Sequence, residues 1–179
     1  MNYKEMGFLI SRYFILMLLA INSLYLFYAV FTPLTLYPSY LVLKSIYSNA
    51  ILNAGIGTIS FGEDSIELIQ ACIAGAAYYL LIILNLTTPM SLKMRIKSIF
   101  FLILTFLFLN ITRVVIFSML FLNGAGYYFD LAHKLVWYAG STILIVLLWF
   151  ANVKLFNLQT VPVYTDWKGI IEDIFPRER

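Results

Sequence analysis

Apolar and polar positions along this chain segregate into long blocks rather than alternating. Residues 8–32, 66–86, 98–122 and 131–156 are nearly uninterrupted apolar runs. Each reaches or passes the roughly 20 residues needed to cross a hydrocarbon core about 30 Å thick. The pattern predicts an all-α membrane protein with four transmembrane helices. The first block, Phe8 to Phe31, is too long for a signal-peptide core and lacks a small-residue cleavage site, so it reads as a retained anchor. Residues 1–157 then form one transmembrane domain, and the polar segment 158–179 a tail along the inner surface.

The segment between the first two blocks carries a different pattern. Pro33 and Pro38 read as the end of the first span, because proline removes an amide donor and obstructs helix continuation. Over residues 39–53, Leu41, Leu43, Ile46, Tyr47, Ala50 and Ile51 recur at roughly helical spacing beside Lys44, Ser48 and Asn49. That predicts a short amphipathic helix lying on the membrane surface. Thr58-Ile59-Ser60-Phe61 reads as a strand and Gly62-Glu63-Asp64-Ser65 as a turn. Two readings of the next residues compete: Ile66 to Gln70 returns as the second strand of a hairpin, or Asp64 or Ser65 caps a helix that already contains Glu67.

Composition agrees with the blocks: 62% of the 179 residues are hydrophobic and 12% charged, about half the charge of a soluble domain. That excludes a disordered chain and argues against a water-soluble fold. The net charge of +3 speaks for membrane orientation rather than for nucleic acid. Lys4, Arg12, Lys93, Arg95, Lys97, Lys154, Lys168, Arg177 and Arg179 fall on one side of the four spans, against Lys44 and Lys134 on the other. By the positive-inside rule both termini are cytoplasmic, and segment 33–65 is extracytoplasmic. A multi-pass plasma-membrane protein is expected.

Within this frame three residues stand out. Cys72 is the single cysteine, His133 the single histidine, and Arg113 the one charge inside the third block. With the spans oriented as above, Cys72 lies near the outer end of the second span and His133 in the first turn of the fourth. Arg113 lies nine residues before Leu122, about 13 Å below the exit. A free cysteine often only packs as a small hydrophobe, but at a helix N-terminus near Gln70 the dipole favours an anion. Ala71 and Gly75 have the small-xxx-small spacing that admits a close neighbour. A guanidinium inside a span marks function by default. The bland alternative pairs Arg113 with a carboxylate such as Glu67. Asn110, three residues earlier on the same helix face, is placed to hold the guanidinium, while Thr112 back-bonds to its own helix. Tyr127, Tyr128, Trp137 and Tyr138 read as an interfacial aromatic belt, and one of Tyr78 and Tyr79 as a residue reaching into the site. His133 suits a general base. Asp130 either orients the imidazole or caps the fourth span, the cap being the simpler role. A zinc site needs about four ligands, which these residues do not supply, so no metal and no cofactor is expected.

Cys72-x-x-Gly75, then Asn110-x-x-Arg113, then His133, each at the outer end of successive spans, resembles the exosortase/archaeosortase family over residues 66–157. The chain departs from that pattern in carrying Ile73-Ala74 between cysteine and glycine, and in having four spans where many relatives have more. The resemblance implies a membrane-embedded cysteine transpeptidase. Its substrates would be proteins bearing a C-terminal sorting signal and transmembrane helix, and its acceptor often a membrane lipid. Cys72 would be the nucleophile, His133 the base and Arg113 the oxyanion stabiliser. The main rival is a non-enzymatic four-helix membrane subunit or scaffold with Arg113 structurally paired. An anion carrier is disfavoured because no second half repeats the first.

Overall fold

The computed structural model describes Phe14, Met17 and residues 25–124 and 134–158, with only the backbone of Trp137 and Tyr138. Apolar helices dominate it. Three stretches are long and apolar enough to cross a membrane: Tyr25–Ile46, Gln70–Thr87 and Leu92–Leu122. They form α1 (Tyr25–Ile46), a short α2 (Gln70–Ile73) continued by α3 (Gly75–Thr87), and α4 (Leu92–Leu122). The last block holds a π-helical turn, Val136–Gly140, leading into α5 (Ser141–Leu155). Its α-helical part is 15 residues long.

The outward faces of these helices explain the composition. Leu26, Val30, Leu34 and Leu41 on α1, Phe100, Leu104 and Phe108 on α4, and Leu147 and Phe150 on α5 are all exposed. Continuous apolar surface of that extent is unfavourable in water and matches a bilayer. The inward faces pack α4 against α1, α3 and α5. Aromatic rings fill the centre: Tyr78 of α3 stacks on Phe31 of α1 with centroids 3.6 Å apart, and meets Phe106 of α4 edge-on at 4.8 Å. Tyr78 is thus fully buried in the core.

Two sequence expectations fail at α1. The first span was placed at 8–32 and ended by prolines, yet the helix contains both Pro33 and Pro38 and runs to Ile46. Proline is tolerated inside membrane helices because neighbouring groups absorb the freed backbone positions. The expected surface helix over 39–53 is likewise absent. Residues 39–46 are the last turns of α1, and the chain then turns into β1 (Ile51–Asn53). Lys44 shapes that turn: its Nζ donates to the carbonyls of Ser48 at 2.6 Å and Ala50 at 2.8 Å. Such a cation near a helix C-terminus also complements the dipole.

β1 leads into β2 (Thr58–Phe61) and β3 (Asp64–Glu67), a three-stranded antiparallel meander in the order β1-β2-β3. The hairpin reading of the two competing ones is therefore the observed one, starting two residues earlier than expected. Asp64 and Ser65 belong to the returning strand, and the helix starts only at Gln70. Ile59 and Phe61 point into the core, with Phe61 edge-on to Tyr47 at 5.6 Å. This fixes the sheet to the end of α1.

At the opposite end of α3 the turn into α4 is held by buried polar groups. Arg95 is 5% exposed and donates through Nη1 to the Asn85 carbonyl and through Nη2 to the Thr88 carbonyl at 3.0 Å. It thereby caps the orphan carbonyls of α3. Asn85 Nδ2 donates to Ser98 Oγ at 2.6 Å, and Ser98 Oγ donates to Asn152 Oδ1 of α5 at 2.8 Å.

Candidate functional site

Cys72 lies in the single turn of α2, immediately before a break in the helix. Ala74 adopts the left-handed conformation, φ 58° and ψ 39°, which is uncommon for a residue with a Cβ. Its amide still donates to the Gln70 carbonyl at 3.0 Å. Beyond it the ladder restarts, Ala77 donating to the Ala74 carbonyl at 2.9 Å. In a continuous helix the carbonyls of Ala71, Cys72 and Ile73 would accept from residues 75, 76 and 77. The break leaves them in need of other donors.

Two side chains of α4 supply those donors. Arg113 Nη2 donates to the Ala71 and Cys72 carbonyls, both at 3.1 Å. Asn110 Nδ2 donates to the Cys72 carbonyl at 3.0 Å and to the Ile73 carbonyl at 3.4 Å. Asn110, 2% exposed, therefore does not hold the guanidinium directly, as its spacing suggested. Asn110 and Arg113 instead grip the same turn side by side. The pairing of Arg113 with Glu67 is not seen; among the described residues its hydrogen-bond partners are carbonyls. Thr112 back-bonds to the Phe108 carbonyl at 2.9 Å, as expected.

Gly75 starts α3 directly under Tyr28 of α1. A Cβ at this position would lie 2.8 Å from Tyr28 Cε1. The small residue after the break thus admits α1, although the break at Ala74 separates Ala71 and Gly75 into different helices.

Above the α2 turn opens a cavity of about 260 Å³. Cys72 and Arg113 both line it, with β3 and the link to α2 (residues 65–69) on one side and Val114, Phe117 and Phe121 of α4 on the other. Val136 closes it from the last helical segment. A free thiol residue, a hydrogen-bonded guanidinium and an apolar recess therefore share one opening. Of the predicted set, Cys72, Arg113, Asn110 and Gly75 are brought together on α2, α3 and α4. His133 and Asp130 lie outside the described residues, as do Tyr127 and Tyr128. No group of three or more metal-ligating side chains occurs among the described residues.

The roles of β3 as a wall and of the Asn85–Arg95–Ser98–Asn152 cluster were not anticipated. Asn85, Asn110 and Asn152 interrupt apolar blocks with carboxamides, a signal that buried hydrogen bonding awaited them. Compared with family models, curated proteins and solved structures, the chain matches none of them. The site's chemistry must carry the functional reading by itself.

Proposed function

We propose that this chain is a membrane-embedded cysteine transpeptidase or peptidase of the exosortase/archaeosortase type. It has four spans, both termini on the cytoplasmic side and its site facing outward at the plasma membrane. The observation that supports it is the meeting of Cys72 and Arg113, from separate helices, at one cavity. The Cys72 sulfur attacks the scissile carbonyl carbon, forming a C–S bond as the C–N bond breaks, and leaves a thioacyl intermediate. His133 takes the thiol proton and returns it to the departing amine. Arg113 uses the part of its fork not spent on the α2 carbonyls to stabilise the oxyanion, where low dielectric strengthens the interaction. The acyl group then passes to an incoming nucleophile, such as a lipid amine or hydroxyl, or to water. No cofactor is called for. A substrate that is itself a transmembrane helix, carrying a C-terminal sorting signal, reaches such a site by lateral docking.

A second reading has an observation of its own. Arg113 and Asn110 satisfy carbonyls that the break at Ala74 exposes, so both also suit a non-enzymatic membrane subunit. Cys72→Ala decides between the two. In cells co-expressing a surface protein with a C-terminal signal, hydrophobic helix and basic tail, the variant should accumulate at wild-type level and leave the substrate unprocessed. Processing at the wild-type rate would exclude the cysteine mechanism and leave the scaffold.

A further inference from the structure

One wall of the cavity beside Cys72 is formed by β3 and the link that follows it, residues 65–69. Among the described residues β3 pairs with β2 alone, and no strand among them lies on its other edge. In an antiparallel ladder, opposed residues alternate between pairs that exchange both hydrogen bonds and pairs that exchange none. Leu68 N donates to the Gly57 carbonyl at 3.0 Å, and Ile59 stands opposite Ile66 and Phe61 opposite Asp64. This sets the phase. The intervening residues, Ser65 and Glu67, turn their N–H and C=O groups away from β2. Among the described residues nothing hydrogen-bonds those groups, and both residues line the cavity with Cys72 and Arg113.

Donors and acceptors two residues apart along an open strand match the backbone of an extended peptide. We infer that the substrate reaches Cys72 as an added β-strand, an extended peptide segment hydrogen-bonded to the free edge of β3 at Ser65 and Glu67. This rests on the cysteine-transferase reading above and specifies how its substrate is held. With two outward-facing residues, β3 registers about three residues of the ligand. Alternate ligand side chains then fall against Val114, Phe117 and Phe121, so one apolar side chain in every two is recognised. Recognition of the rest is by backbone.

The probe is a trialanine chloromethyl ketone, whose carbon forms a C–S bond with Cys72 as chloride leaves. The full-length protein in lipid nanodiscs is treated with it, and alkylation of Cys72 is followed by mass spectrometry. N-methylation of the peptide amides that pair with β3 should slow alkylation about tenfold, the worth of one hydrogen bond at the favourable end of its range. Ser65→Pro and Glu67→Pro, which remove outward N–H groups and so spare the β2–β3 ladder, should each slow it about fivefold to tenfold. The rate with iodoacetamide, which has no strand to add, should be unchanged and so reports an intact site. Equal rates for methylated and unmethylated peptides would overturn the inference. A second measurement is independent of the thiol. In Cys72→Ala, a benzophenone-tagged tetraalanine peptide should photo-cross-link within residues 64–67, and its N-methylated analogue should not. Absence of that cross-link would also overturn strand addition. Cross-linking at β3 in a protein whose Cys72 resists every reagent would remove the transferase reading and keep strand addition.

Discussion

Arg113 grips the α2 turn, the proposed mechanism gives it the oxyanion as well, and the two tasks predict different consequences of substitution. Arg113→Lys keeps the charge but loses the planar fork, in which Nη2 serves both the Ala71 and Cys72 carbonyls and the remaining N–H groups are the ones proposed to meet the oxyanion. Processing of a sorting-signal substrate should fall about 100-fold or more, the cost of removing one preorganised oxyanion donor. If the role were structural alone, activity per folded molecule would survive, so the rate is to be normalised to folded protein. Asn110→Leu tests the other half of the grip. It leaves the Ile73 carbonyl, and part of the Cys72 carbonyl, without a donor in a buried setting. Stability should drop by about 1–3 kcal/mol, read as a lower unfolding midpoint in detergent. Cys72 and Arg113 were legible in the sequence because each is chemically alone in its block. The role of Asn110 was not. It depends on the left-handed turn at Ala74, and alanine, the best helix former, gives no warning of a break.

At the level of elements, the sequence disclosed the apolar blocks, left the hairpin as one of two competing readings, and misplaced the end of α1. Pro33 and Pro38 stop a helix in water, where the freed carbonyls are readily hydrated and the chain can simply turn. In an apolar setting the helix remains the cheapest way to pair the remaining backbone groups, and the prolines are carried within it. The start of α4 shows a related effect of buried polar groups. The helix begins at Leu92, ahead of the apolar run from residue 98, and Arg95 in its first turns points inward to cap α3. The break between α2 and α3 also makes a prediction. Gly75→Ala puts a methyl 2.8 Å from Tyr28 Cε1, and this overpacking should cost about 1–3 kcal/mol. The double variant Gly75→Ala/Tyr28→Leu, which removes the ring, should recover much of the loss in the same thermal measurement. Failure of that rescue would mean that α1 and α3 do not meet at this point.

For the whole molecule, the sidedness of basic residues and the proposed outer position of Cys72 lead to one linked expectation. Reporter fusions after residue 179 should read as cytoplasmic, and fusions within 53–58, the turn between β1 and β2, as extracytoplasmic. A tail that reads as external would invert the site and contradict an outward-facing transferase. The apolar helical blocks were visible because bilayer thickness sets span length directly, and among the described residues three helices are long and apolar enough to cross. The packing of α4 against α1, α3 and α5 was not visible, because it depends on which stripe of each helix faces inward, and nearly uniform apolar blocks hide that stripe.

The Arg95 cap has a bearing on how the protein is made. Its bonds to Asn85 and Thr88 close over separations of 10 and 7 residues, whereas the Ser98–Asn152 bond spans 54. Short loops close first. During synthesis α3 and α4 can thus lock together as one hairpin before α5 leaves the ribosome, entering the bilayer as a pair with the guanidinium already neutralised by carbonyl dipoles. A chain arrested just after α4 should already hold that pair, and Arg95→Met should leave α3 to partition alone.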